Sequence, residues 1–375
     1  LSSMVLVTLV GAASIYAGKK DYLASVAPYD YSVTGTNVDL TSTEKIMDDF
    51  LEQSGNQVNE KAEVTYLYFG IKEQENNKLT IFPENERKVL PKSIFLVFSQ
   101  ATYKQLTGKD LNLTSNQVGL FTKNKTLKDQ KSLSFNGQNY QIQNDLNDFI
   151  KGKVPNIFTI IVSDYNYLVV PDMDDFKESI KGTATTQATY VGVNVKDPTH
   201  DAKKNSDLLD QMTDKETQQL AGQTTGVSQS YLTANSQYDT EGMLNGFVGG
   251  TLFIGIFLSI IFMLGTVLVI YYKQISEGYE DRERFVILQK IGLDDLQVKQ
   301  TIRKQVLTVF FLPLIFAFIH LAFAYHMLSL IVRIIGVFNP SLMLVVTIIV
   351  CGVFFLAYVL VFALTSRSYR RIVSM

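Results

Sequence analysis

The chain has 375 residues and a formal net charge of −2, with 46% hydrophobic and 19% charged residues. That length would allow two or three soluble domains, but three stretches of more than 25 residues carry no Asp, Glu, Lys or Arg. Uncharged apolar runs of this length match the hydrocarbon layer of a bilayer and are not expected of a soluble protein. We therefore predict a membrane protein with four transmembrane α-helices and a large α+β extracellular domain between helices 1 and 2.

The first apolar segment covers residues 1–17 and is followed by Gly18, Lys19 and Lys20. Two interpretations compete: a spanning helix whose beginning has been removed, and the apolar core of a secretory signal peptide. A signal peptide begins with positive charges, and nothing charged precedes Lys19. We favour the spanning helix, in which case the chain is expected to be the C-terminal part of a longer protein.

Residues 18–244 are predicted to form the extracellular domain. The clearest pattern covers 132–142, where apolar residues alternate with polar ones on both sides of Asn136-Gly137. This dipeptide favours a type I′ turn, so we predict a β-hairpin. Residues 222–239, which are rich in Gly, Thr, Ser and Gln, are predicted to be a flexible stalk. Further strands are predicted over 64–71, 93–98, 157–162, 167–170 and 189–195, and helices over 43–53, 100–106, 173–180 and 201–219.

The same domain holds 23 Lys or Arg and 30 Asp or Glu residues, a net charge of −7. An acidic surface of this kind attracts cationic ligands through its long-range field. The alternative is that the charge serves solubility alone. The only cysteine, Cys351, lies in the last apolar run, so the domain has no disulfide, which weakly favours a bacterial surface over a eukaryotic secreted protein.

The other three spans are predicted over 245–272, 305–332 and 341–366, with a short outer loop over 333–340. Seven Lys or Arg residues lie within 273–304 and three within the tail 367–375. Lys and Arg accumulate in short cytoplasmic segments, so we expect both to be cytoplasmic.

Within the spans, Pro313 should kink the third helix. His320 is either a functional ionisable group or a neutral histidine bonded to a neighbouring helix, which we favour.

Small residues let helices approach closely, so we expect the face of the second span that carries them to pack against another span. These residues are Gly246, Gly249, Gly250, Gly255, Ser259 and Gly265.

The cytoplasmic segment predicts a short amphipathic helix over 280–291. Phe285, Leu288 and Ile291 form an apolar stripe at helical spacing, and Gly292 should end the helix. Asp294 is then placed to cap a second helix, which runs from Asp295 unbroken into the third span. A protein that grips the stripe could move that span. The alternative, a helix lying on lipid, is less favoured because six acidic residues lie in this segment.

The cytoplasmic segment resembles the coupling region of the FtsX-like permease domain of ABC transporters. Within that family it is most similar to the bacitracin- and lantibiotic-resistance permeases of Gram-positive bacteria. The resemblance is carried by the runs YYKQISEGYEDRERF at 271–285, LQKIG at 288–292 and TIRKQ at 301–305, by Pro313 and His320, and more loosely by PYDYSV at 28–33.

The resemblance implies a permease that couples ATP hydrolysis by a cytoplasmic ABC ATPase dimer to the extracellular domain, in the removal or export of an antimicrobial peptide or a lipid-linked ligand. Two alternatives stay open: a mechanical regulator of a cell-wall enzyme or sensor histidine kinase, which transports nothing, and a membrane-anchored binding protein without an ATPase. The chain has no H-E-x-x-H, no G-x-S-x-G and no paired cysteines, so it is not expected to be an enzyme. It also has no P-loop motif, so ATP is expected on the partner. No cofactor and no nucleic acid are expected for this chain. The expected ATPase contacts are Glu280, Arg282, Arg284, Phe285, Leu288, Ile291, Gly292 and Asp294.

Overall fold

The computed structural model describes residues 1–86, 91, 93–155, 164–221, 229–290, 295–334 and 339–373. These residues divide into two compact units, Leu1–Tyr22 with Leu244–Met375, and Leu23–Met243. Four helices of the described chain are long and apolar enough to cross a membrane. Along the chain, the strands follow the first of these helices and precede the second. The predicted architecture, four apolar helices with an α+β domain between the first and the second in chain order, is therefore confirmed, while its extracellular location stays a prediction.

The helices alternate with strands in the first two thirds of the chain. The helices are α1 (Ser2–Val26), α2 (Leu40–Ser54), α3 (Gln100–Thr107), α4 (Lys125–Lys128), α5 (Met173–Ser179), α6 (Ala202–Ala221), α7 (Gln237–Lys290), α8 (Asp295–Ile334) and α9 (Pro340–Val373). The strands are β1 (Tyr31–Thr36), β2 (Val58–Glu75), β3 (Lys78–Ile81), β4 (Ser93–Ser99), β5 (Gln117–Thr122), β6 (Ser132–Phe135), β7 (Gln138–Asp145), β8 (Asp164–Val170), β9 (Thr185–Val195) and β10 (Tyr231–Ser236).

The ten strands form one sheet, part of which closes on itself. The long strand β2 pairs with β9 along its first two thirds, and then with β4 and β3. Because β3, β6, β7, β5, β8 and β4 also pair in succession, the seven strands complete a ring. The aromatic rings of Phe69, Phe95 and Phe135 pack together in its core. Closure leaves these strands without a free edge.

The remaining three strands extend from the ring as an open sheet in the order β9, β1, β10. Their apolar face is covered by α2 and α6, with Met47, Phe50 and Leu209 fully or almost fully buried. The helix α2 is capped at its N-terminus by Asp39, whose carboxylate accepts a hydrogen bond from the backbone N–H of Ser42 at 2.8 Å. This is the standard way of satisfying an N-terminal donor of a helix.

The hairpin predicted over 132–142 is confirmed. Leu133 pairs with Tyr140 and Phe135 with Gln138, and both turn residues, Asn136 and Gly137, have positive φ angles of 49° and 93°. The four helices predicted within 18–244 are all present, with ends that differ by up to three residues. The strand predicted over 157–162 lies outside the described residues.

The predicted flexible stalk over 222–239 is wrong for its described second half. Residues 231–236 form β10, which pairs antiparallel with β1 along its whole length, and α7 begins immediately afterwards. The sequence resembles a loop because β10 is an edge strand that buries only Leu232 and Ser236. Its other positions can therefore be small and polar. Residues 222–228 lie outside the described part.

In the helical unit α1 is the most enclosed of the four long helices. In its most apolar 18-residue window 44% of the residues are buried, against 17 to 22% in the other three. Its buried residues Val5, Leu6 and Val10 share one apolar cluster with residues of α7, α8 and α9. The segment 1–17 therefore packs as an integral helix of this unit, and α1 continues past it to Val26.

Candidate functional site

The residues expected to contact an ATPase lie at the end of α7 and just beyond it. Glu280 is exposed on α7. Four further residues belong to the same helix, although their side chains lie outside the described part: Arg282, Arg284, Phe285 and Leu288. Ile291, Gly292 and Asp294 lie entirely outside the described residues, so the predicted helix end at Gly292 and the cap at Asp294 stay predictions.

The structure corrects one feature of this segment. The helix expected over 280–291 is not a separate short helix, because α7 runs without a break from Gln237 to Lys290. At about 1.5 Å per residue its 54 residues extend roughly 80 Å, while a bilayer core is only about 30 Å thick. The helix is thus long enough to cross a membrane and continue well beyond it. The next helix, α8, starts at Asp295 and continues through the third apolar segment, as predicted.

The beginning of α7 is fixed by a capping arrangement that our sequence analysis missed. The backbone N–H of Asp239 donates to the Ser236 hydroxyl at 3.1 Å, and this hydroxyl donates to the Asp239 carboxylate at 2.8 Å. The Ser206 hydroxyl, on α6, contacts both of them. Ser followed three residues later by an acidic residue is the capping-box signal. Strand β10, helix α6 and the first turn of α7 are thereby joined by side-chain hydrogen bonds.

His320 forms the bond to a neighbouring helix that we favoured from the sequence. Its Nδ1 lies 3.1 Å from the hydroxyl of Ser3 on α1.

Pro313 lies inside α8, where it leaves the carbonyl of Val309 without its usual helical donor. At the adjoining carbonyl, that of Phe310, the buried Tyr358 of α9 donates a hydrogen bond at 3.0 Å. A neighbouring helix thus supplies a donor next to the proline, as is common in membrane helices.

The small residues of α7 behave in two different ways. A Cβ placed on Gly255 would lie only 2.6 Å from the Cβ of Ala12, so α1 and α7 approach closely at this point. The expectation of close packing is therefore confirmed for Gly255. Gly246, Gly249 and Gly250 are exposed, and apart from their own helix no part of the described chain lies within 4 Å of their Cβ positions, so the described residues show no packing of another span there.

Among the described residues, no group of three or more His, Cys, Asp or Glu side chains could hold a metal ion.

Burial raises the pKa of Asp148 and of Asp30 in the strand-rich unit. Asp30 accepts a hydrogen bond from the Val195 backbone N–H at 2.9 Å, which holds the start of β1 against the end of β9.

Comparison with known proteins gives three relatives from Bacillus subtilis. The ABC transporter permease protein YxdM is 35% identical over 79 residues, which are 21% of this chain and 13% of that protein. The uncharacterized ABC transporter permease YvcS is 30% identical over 122 residues, 32% of this chain and 18% of the relative. The bacitracin export permease protein BceB is 28% identical over 138 residues, 37% of this chain and 19% of the relative.

The chain is related to ABC transporter permeases. The resemblance seen in its sequence is thereby confirmed, and the four apolar helices agree with a membrane protein. The matched segments span less than a fifth of the length of each relative. No family model matches the chain.

Proposed function

We propose that this permease relative couples ATP hydrolysis on a separate cytoplasmic ATPase dimer to its strand-rich unit, in the removal or export of an antimicrobial peptide at the surface of a Gram-positive bacterium. The observation that carries the proposal is the continuity of α7. A single helix starts at the end of β10, includes the second apolar span and ends with the segment that resembles a coupling region.

The physical reason is that a continuous helix transmits displacement better than a jointed one. A break at a glycine, a proline or a loop would absorb motion, and α7 has no break between Gln237 and Lys290. The capping hydrogen bonds of Ser236, Ser206 and Asp239 tie its first turn to β10 and α6. A push on the far end of α7 would therefore act on the edge of the sheet.

The peptide part of the proposal is supported by the similarity to the bacitracin export permease and by the net charge of −7 in residues 18–244. A field of this sign raises the local concentration of cationic peptides. In this proposal the sheet-rich unit lies outside the cell, and the end of α7 lies in the cytoplasm.

The proposal is tested by pull-down of a co-expressed ABC ATPase, taken from the same genome, with the full permease. Changing Phe285 and Leu288 together to Asp introduces two charges into the predicted contact stripe and should abolish co-purification. Val286→Asp is the matched control, because at about 100° per residue it lies roughly 160° around the helix from Leu288. It should leave co-purification intact. Loss in both variants, or in neither, would contradict the proposed contact.

A further inference from the structure

The helix α8 contains a proline close to the point where its apolar span begins. Pro313 lies inside the helix, just after Phe310, the first residue of the apolar segment Phe310–Val332. A proline removes one helical hydrogen bond and its ring clashes with the carbonyl four residues earlier, which weakens the helix at that position. The helix α7, by contrast, contains no proline between Gln237 and Lys290. Of these two helices, α8 is therefore the one with a defined point of bending.

The part of α8 before the proline forms an arm from Asp295 to Leu312, which we call the α8 arm. At about 1.5 Å per residue this arm is roughly 27 Å long. A change in direction of about 20°, the size of a sharp kink at a proline, would move the far end of the arm by roughly 9 Å. The far end directly follows the residues at which we expect the ATPase to bind, so a small bend at Pro313 gives a large displacement there.

A tyrosine of α9 fixes the helix beside this weak point. The hydroxyl of the buried Tyr358 donates a hydrogen bond to the carbonyl of Phe310 at 3.0 Å. The Phe310 ring, which is fully buried, packs edge-on against the rings of Tyr358 and Phe362, with centroid distances of 6.2 and 5.1 Å. A hydrogen bond among apolar side chains is strong, and breaking it would leave the hydroxyl without a partner. Tyr358 therefore stabilises the observed direction of the α8 arm.

The two sides of the proline are held to different degrees. After it, Leu314, Ala317 and Leu321 are buried in the apolar cluster that α8 shares with α1, α7 and α9. On the flank that carries the proline, Leu312 and Phe316 are about half exposed, so the described chain leaves this flank open. The part of α8 after Pro313 is thus anchored, and the α8 arm is the part that can move.

We propose that Pro313 is a hinge of α8 and that Tyr358 is its latch. While the Tyr358 hydroxyl binds the Phe310 carbonyl, the α8 arm keeps one direction, and when this bond breaks the arm swings about Pro313. The use of the hinge rests on the proposed function: α7 passes on the displacement, while α8 bends and leaves its anchored part in place. The hinge itself needs no ATPase, so it can be tested separately from the ATPase contact.

The test is a measurement of distances between spin labels by double electron–electron resonance, on the full chain in lipid nanodiscs with Cys351→Ser. One pair, Lys304→Cys with Met327→Cys, places labels at exposed positions on the two sides of Pro313. The matched pair, Gly246→Cys with Val269→Cys, has the same separation in sequence and lies at exposed positions of α7. We expect the distance distribution of the α8 pair to be about 1.5-fold wider than that of the α7 pair, because only α8 contains a hinge.

The variant Tyr358→Phe tests the latch, because it keeps the aromatic packing and removes only the hydroxyl. It should widen the distribution of the α8 pair by about a third and leave the α7 pair unchanged. Tyr272→Phe, which removes an exposed hydroxyl of α7, should change neither pair, and Pro313→Ala should narrow the α8 distribution to the width seen for α7. Equal widths of the two pairs in the parent chain, or an α8 distribution that Tyr358→Phe leaves unchanged, would overturn the proposal.

Discussion

The contact between α1 and α7 at Gly255 predicts a large effect of a single methyl group. In Gly255→Ala the new Cβ would lie 2.6 Å from that of Ala12, whereas carbon atoms in contact are normally about 3.5–4 Å apart. The two helices must therefore separate by roughly 1 Å locally. Overpacking of this kind costs about 1–3 kcal/mol, so we expect the free energy of unfolding of the helical unit to fall by about that amount.

A matched control comes from the same helix. Gly246→Ala adds the same methyl group where no side chain or neighbouring backbone of the described chain lies within 4 Å. Because Ala is favoured over Gly within a helix by roughly 0.5–1 kcal/mol, this variant should be neutral or slightly more stable.

The assay is unfolding of the full chain by SDS in mixed micelles, followed by circular dichroism of the helices. A midpoint that falls for Gly255→Ala and holds or rises for Gly246→Ala is the expected result. If both variants lose stability equally, or if Gly255→Ala loses none, then α1 and α7 do not pack as described, and the account of the helical unit is wrong.

Other predictions concern single side chains. Burial raises the pKa of Asp148, so its charged form opposes folding at a pH above the ordinary aspartate pKa. Asp148→Asn should therefore stabilise the strand-rich unit at pH 7, which is measured as slower amide hydrogen exchange. This gain in stability should fade as the pH falls through the raised pKa. Hydrogen bonds from Ser42 lower the pKa of Asp39, so its contribution is lost as the pH falls through that lowered pKa. Asp39→Ala should therefore destabilise α2 by about 1 kcal/mol at pH 7, measured by exchange of its amides, and less at pH 2. Ser3→Ala removes the partner of His320 and should lower the SDS midpoint, whereas a change within error would show that this bond contributes nothing.

The sequence was sufficient for features set by local or strongly periodic signals. The Asn136-Gly137 turn requires two positive φ angles, and few dipeptides accept them; this is why the hairpin could be predicted with its register. The apolar spans were equally clear, because no other environment accommodates such long uncharged runs. The bond of His320 to another helix followed from the cost of leaving a polar group unpaired among apolar helices.

Features that depend on distant partners could not be predicted. Strand β10 has the composition of a loop, and it is ordered by pairing with β1, almost 200 residues earlier. Gly246 and Gly255 look alike in sequence, yet of the two only Gly255 meets another helix of the described chain, because the rotation of α7 relative to α1 decides which glycine faces it. The hydrogen bond between Asn194 and Glu60 likewise joins residues that are far apart in the chain.

The continuity of α7 was missed for a different reason. The charged residues after Tyr272 suggested a loop followed by a new helix, but Lys, Glu, Gln and Arg are all good helix formers. Nothing in 273–290 breaks a helix except Gly278, and a single glycine costs only about 1 kcal/mol. The capping signal of Ser236 and Asp239 was present in the sequence and would have located the start of α7.

The most direct test of the central claim, that the end of α7 is a cytoplasmic contact for a motor, is the side of the membrane on which it lies. Arg284→Cys, in a chain whose only other cysteine is removed by Cys351→Ser, is treated in intact cells with a membrane-impermeant maleimide, with Glu52→Cys in the strand-rich unit as the reference. We predict that position 52 reacts in intact cells and that position 284 reacts only after permeabilisation. Reaction of position 284 in intact cells would place the end of α7 outside and contradict the account.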